Sequence, residues 1–150
     1  MYQSLIYISR SRLVMPAQAS EIDRIVADAV PRHVALGIRG ALIFTERHFA
    51  HLIEGPPPSI DELIEDVMAD PRHEQVTIID RRPIDGYRFP DWTLAYWGDA
   101  GYMDKQVARV LEKASGVVQA YRAEHLLRLI QRLAHERHKQ NSPIGRPSGH

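Results

Sequence analysis

The chain contains no cysteine, which excludes a disulfide framework, a thiolate metal site and a cysteine nucleophile. It holds no apolar run approaching the ~20 residues that a membrane-spanning helix needs. Neither sign of charge is in excess, with 19 lysine plus arginine residues against 19 aspartate plus glutamate. Proteins held to nucleic acid or to an anionic membrane rely on a basic surplus, so neither partner is expected. The first residues lack the basic, then apolar, then small-residue order of a secretory signal, and a cytoplasmic location is the expectation. A nucleophile elbow, a phosphate-cradling glycine loop and a paired-carboxylate site are also missing. No enzymatic activity is therefore expected.

What remains is 150 residues, 44% of them hydrophobic, enough for one domain with one core. The most informative stretch is HVALGIRGALIFTERHFAHLIEG, residues 33–55. Two β-branched and aromatic runs flank a polar Thr45-Glu46-Arg47 corner, the pattern of a β-hairpin. Alternation puts Phe49, His51 and Ile53 on one face of the second run and Ala50 and Leu52 on the other. His51 thus occupies a position where a buried apolar residue is expected. It is either a core histidine with a structural partner or part of a pocket lining.

Taken in order, Leu5 to Ser9 reads as a first strand, with Leu5, Tyr7 and Ser9 facing one way and Ile6 and Ile8 the other. Ser20 and Asp23 form a capping-box-like pair that opens a helix with the stripe Ile22, Ile25, Val26 and Ala29. Pro31 is expected to kink or end that helix near Val30, with His33 on its inward side. After the hairpin, Pro56, Pro57 and Pro58 stop the ladder. Ser59 and Glu62 suggest a second capping box before the stripe Ile60, Leu63, Ile64 and Val67. Val76 to Asp80 and Trp92 to Trp97 read as two more strands.

Strand, helix, strand, strand, helix, strand, plus one added strand is an α+β, ferredoxin-like βαββαβ-type sandwich. A five-stranded mixed sheet with two helices on one face is expected. Two further helical stretches, Asp104 to Ser115 and Val118 to His138, carry apolar stripes that include Tyr121 and Leu126. They either cover the other sheet face or pair with another subunit. The division expected is a domain over 1–98, helices over 99–138 and a disordered tail over 139–150.

The segments LIYIS, LGIRG-ALIF, HFAHLIEG, DPRH and RFPDW-TLAYW, collinear over about residues 2–97, together resemble the BLUF domain. That family consists of blue-light sensors that use FAD. The resemblance implies a flavin ring lying between two helices and the sheet, and a photoreceptor that signals through its C-terminal helices to a partner or as a homo-oligomer. It places Tyr7, Ile25, His33, His51, Arg72, His73 and Trp92 at positions matched to the family's flavin site.

Some of these positions depart from the family pattern. His51 stands where the family has the glutamine of its light switch, and His33 stands where it has a ring-holding asparagine. Arg32 replaces the first asparagine of that family pair, His33 standing at the second, while Leu94 replaces a methionine and Arg39 a threonine. Asp66 stands about where a basic residue often meets the FAD phosphates. A carboxamide carries a donor and an acceptor that exchange places on rotation or tautomerisation, whereas neutral imidazole holds one of each fixed on a rigid ring. The family's ordinary photocycle is therefore not expected to operate through His51.

Two functional classes follow. One is a divergent flavin sensor. The other is a flavin-free scaffold serving protein interaction or oligomerisation. Metal or haem binding by His33 and His51 matches no zinc spacing. An enzymatic role for Tyr7, His51 or Glu54 finds no dyad on one strand face, because Glu54 has the opposite parity to His51.

Overall fold

Alternation along the first strand sets two layers. The computed structural model describes residues 1–97, 104–111, 121 and 124–132. Strand β1 (Tyr2–Ser11) is followed by helix α1 (Ala19–Leu36), the hairpin strands β2 (Arg39–Phe44) and β3 (His48–Gly55), helix α2 (Pro57–Ala69), and strands β4 (His73–Ile84) and β5 (Ala95–Trp97). Helix α3 spans Asp104–Leu111. The sheet runs β4-β1-β3-β2-β5, antiparallel except where β5 pairs parallel with β2. This is the ferredoxin-like α+β arrangement with one strand added.

On one sheet face, Leu5, Tyr7 and Ile53 pack with Ile60, Leu63 and Ile64 of α2. Beside them, Leu42, Phe44 and Phe49 pack with Ile22 and Ile25 of α1. On the other face Ile6, Ile8, Ala50 and Leu52 meet Val107 and Val110 of α3, together with Leu126, Leu127 and Ile130 of a helical segment at 124–132. The later helical stretches therefore fold back onto the sheet, which resolves one of the two alternatives left by the sequence. Burying side chains of this size stabilises by roughly 1.5–3 kcal/mol each. Tyr121, expected on the apolar stripe, is 75% exposed. The boundary at 98/99, the remaining parts of the expected terminal helices and the expected tail at 139–150 lie outside the described residues.

Three local expectations are corrected. Helix α1 does not stop at Pro31 but continues to Leu36. The proline is exposed, so the carbonyl that its missing N–H leaves without a donor can be met by solvent. The helix instead ends at Gly37, whose φ of 70° is left-handed. There the Ile38 N–H donates to the His33 carbonyl at 2.8 Å and the Gly37 N–H to that of Val34 at 3.3 Å, the reciprocal pair of a Schellman closure.

Neither expected capping box forms. Gln18 precedes α1 and Pro56 precedes α2, without side-chain caps. Pro57 and Pro58 enter the first turn of α2, where the missing N–H costs nothing. Finally, β5 starts at Ala95 rather than Trp92, because the Thr93 carbonyl accepts from the His33 ring and Trp92 belongs to a turn closed on Phe89.

Candidate functional site

Helices α1 and α2 lie side by side on the sheet and leave a cavity of about 210 Å³ between them. The sheet contributes Tyr7, Leu42 and His51. Helix α1 supplies Ile25, Ala29 and His33, and α2 supplies Leu63 and Val67. Strand alternation brings Tyr7 and His51 to the same face as direct partners across the β1–β3 pair. Helical spacing brings Ile25, Ala29 and His33 to one side of α1. The Gly37 closure fixes the turn from which His33 projects.

A polar line crosses this otherwise apolar enclosure. The Tyr7 hydroxyl lies 2.9 Å from His51 Nδ1, and the His51 and His33 rings stack with centroids 5.4 Å apart and planes 9° from parallel. His33 Nδ1 lies 2.7 Å from the Thr93 carbonyl. Burial holds both imidazoles below the ordinary histidine range. For His33 it outweighs the raising effect of the Thr93 carbonyl, with Arg39 adding to the lowering. His51 is further disfavoured as a cation by the two histidines near it, His33 and His73. Burial also pushes the Tyr7 phenol up, and Asp70 adds to the shift. All three side chains are therefore neutral near pH 7.

The tautomers follow from the partners. A carbonyl only accepts, so His33 Nδ1 carries its hydrogen and His33 Nε2 is a bare acceptor. The Tyr7 hydroxyl has His51 Nδ1 as its hydrogen-bond partner among the described residues. Donation to that nitrogen leaves His51 Nε2 carrying the hydrogen. Both Nε2 atoms are buried and have no hydrogen-bond partner among the described residues. The two stacked rings thus bring one acceptor and one donor to the cavity lining, each costly to leave unsatisfied.

The rim is charged. Arg32 bonds Asp66 through Nε at 2.8 Å and also pairs with Glu62. Arg72 forks onto Asp70, with Nε at 2.9 Å and Nη2 at 2.8 Å, and lies 3.6 Å from Asp28. Burial raises the Asp70 carboxyl, but the side-chain and backbone bonds from Arg72 outweigh it and leave the carboxyl low. Four carboxylates thus share two guanidinium groups, an excess of two negative charges. Arg39 is turned away, onto the Pro90 carbonyl at 2.9 Å and the Tyr87 ring. His73 donates or accepts with Ser9 Oγ at 2.6 Å, and burial pushes it down to about 4.

Of the residues matched in the sequence, Tyr7, Ile25, His33, His51, Arg72 and His73 all line the cavity. Trp92 does not. It is buried on the opposite sheet face, stacked on Phe89 with centroids 4.4 Å apart. Glu54 is also away from the cavity. It is fully buried and clamps the segment between β4 and β5 by accepting from Arg88 N, Arg88 Nε and Phe89 N. His48 faces the other layer, bonding Asp104 of α3 at 3.0 Å, as its strand parity requires.

Sequence reasoning left out Asp28 and Leu42 from the lining. Asp28 stands three residues after Ile25 and Leu42 pairs with His51 in the β2–β3 register, so helical spacing and hairpin pairing could have found both. Among the described residues, no group of three metal-ligating side chains converges, and no helix is long and apolar enough to cross a membrane.

Known proteins share this architecture. The structure of BlrB, a BLUF protein in its dark state, superposes with a TM-score of 0.69 at 31% identity, covering 90% of this chain and 96% of that one. The photo-activated state of BlsA matches in fold at a TM-score of 0.65 and 20% identity, over 85% and 95% of the two chains. The photoactivated adenylate cyclase subunit beta of Euglena gracilis is 28% identical over 88 residues, which is 59% of this chain. The chain spans about a tenth of the length of that relative. Residues 2–95 match the family model described as sensors of blue-light using FAD. With that match running from β1 into β5 and enclosing the whole cavity, the chain belongs to the BLUF family.

Proposed function

We propose that this chain is a sensory domain whose cavity holds a flavin by its ring. The observation that carries the reading is the pair of buried, unpartnered nitrogens, His33 Nε2 and His51 Nε2. The pyrimidine edge of an isoalloxazine offers an N–H beside a carbonyl. An acceptor beside a donor is its complement. Ile25, Leu42, Leu63 and Val67 supply the apolar surfaces that a flat ring needs.

A bound flavin supplies absorption in the blue and a one-electron acceptor. The chain's own residues do the rest. Tyr7, protonated and bonded to His51, would supply the electron that a bound ring accepts, while its phenolic proton would pass along the hydrogen bond to His51 Nδ1. His51 holds its donor and acceptor on opposite ring nitrogens, so it cannot exchange them by rotating about its side chain as a carboxamide can. A sensor of this kind signals through the other sheet face, where His48 and Thr45 bond Asp104 of α3. A non-enzymatic role in the cytoplasm, acting on a protein partner or a second copy, is part of the same proposal.

The test is direct. Purified protein incubated with excess flavin and desalted should retain a yellow colour with a structured band near that of the free ring. A colourless protein after that treatment would overturn the reading and leave the flavin-free scaffold in its place.

A further inference from the structure

We infer that the cavity selects an uncharged flavin, of the riboflavin class, over flavins that carry phosphate. The inference rests on the proposed ring site and concerns what the rim accepts beyond it. Two observations carry it. The ring nitrogens of His33 and His51, both more than nine-tenths buried and unpartnered, give the ligand a seat. Outside that seat, both guanidinium groups of the rim are already engaged by carboxylates, Arg32 by Glu62 and Asp66, and Arg72 by Asp70 and Asp28.

A phosphate entering here meets a surplus of two negative charges. To pair with Arg32 or Arg72 it must displace a charge-assisted bond already made, and the displaced carboxylate stays nearby. A diphosphate doubles the conflict. A polyhydroxyl chain meets the same rim differently. Its O–H groups donate to carboxylate oxygens, which accept from more than one donor at a time. The enclosed volume of about 210 Å³ falls below the ~300 Å³ at which drug-sized pockets begin. A cavity of this size has room for the ring alone, so the side chain would lie along the charged rim, where its charge is felt.

The experiment titrates the full chain with riboflavin, FMN and FAD separately at about 20 mM and about 500 mM salt, following quenching of flavin fluorescence. At low salt riboflavin should bind roughly tenfold or more tightly than either phosphorylated flavin, as expected for like charges near a protein surface. High salt should narrow that ratio by screening. The double variant Glu62→Gln, Asp66→Asn frees Arg32 and should bring FMN and FAD to parity with riboflavin. Its two changed side chains are half-exposed, so the fold has little at stake. Binding of FAD as tight as that of riboflavin in the unaltered chain would overturn this inference and leave the ring site standing. Binding of none of the three would overturn both.

Discussion

Tyr7 and His51 face each other across adjacent strands, with the phenol oxygen 2.9 Å from the imidazole Nδ1. Each is almost wholly buried, so each is the other's protection against an unsatisfied polar group. In Tyr7→Phe the imidazole loses that partner while the ring volume is kept. The expected cost is about 1–3 kcal/mol, read as a lower urea midpoint with an unchanged slope. An unchanged midpoint would mean that His51 finds another partner within the cavity.

His51→Gln restores a side chain whose donor and acceptor can exchange. With flavin bound, the unaltered chain should show no long-lived spectral shift after blue light, and the variant should gain one. A light-minus-dark difference spectrum distinguishes the two. A shift already present in the unaltered chain would show that imidazole can serve as the switch.

Acid should destabilise the fold well above the carboxylate range. His73 is held at about 4 in the folded chain, against about 6.5 in the unfolded one. Because the folded value is depressed for a base, the unfolded state takes up the proton first. Stability is therefore complete above about pH 6.5 and falls as the pH drops towards 4. His73 alone accounts for about 2 kcal/mol between pH 7.5 and pH 5, and His33 and His51 act in the same direction. Asp70, held low, loses its share only at still lower pH. Urea melts at the two pH values check this, and equal stability at both would refute it.

Glu54 belongs to the scaffold rather than the cavity. Glu54→Ala removes the acceptor of Arg88 Nε at 2.7 Å and of two backbone N–H groups. A loss of about 2–3 kcal/mol is expected, in line with hydrogen bonds to a charged group. The ring site should survive it, so flavin affinity measured well below the melting temperature should hardly change.

Much of this was legible in the chain. Parity alone assigns Tyr7, His51 and Phe49 to one layer and Ile8, His48 and Leu52 to the other, because alternation is local and holds wherever a strand forms. The hairpin was equally clear from its Thr45-Glu46-Arg47 corner. Long-range choices were hidden. Pro31 by itself argues for a stop; that the helix continues is signalled locally only by Gly37, and the bond that fixes His33 comes from Thr93, sixty residues away. Trp92 was put beside the ring by the resemblance alone, and the turn that carries it to the opposite sheet face is set by contacts outside its own stretch. The pairing of Arg32 was illegible for the same reason, because its acids Glu62 and Asp66 stand 30 and 34 residues further along the chain; the fork of Arg72 onto Asp70, two residues away, is local.

Every residue of β3 is buried, and the strand is laddered on both sides, to β1 and to β2. Its amide hydrogens have no local route to solvent. Deuterium should enter them only when the whole domain opens, at a rate set by global stability. Any molecule that settles beside His51 should slow that labelling in proportion to its affinity. The strand is thus a built-in gauge of occupancy that needs neither colour nor light.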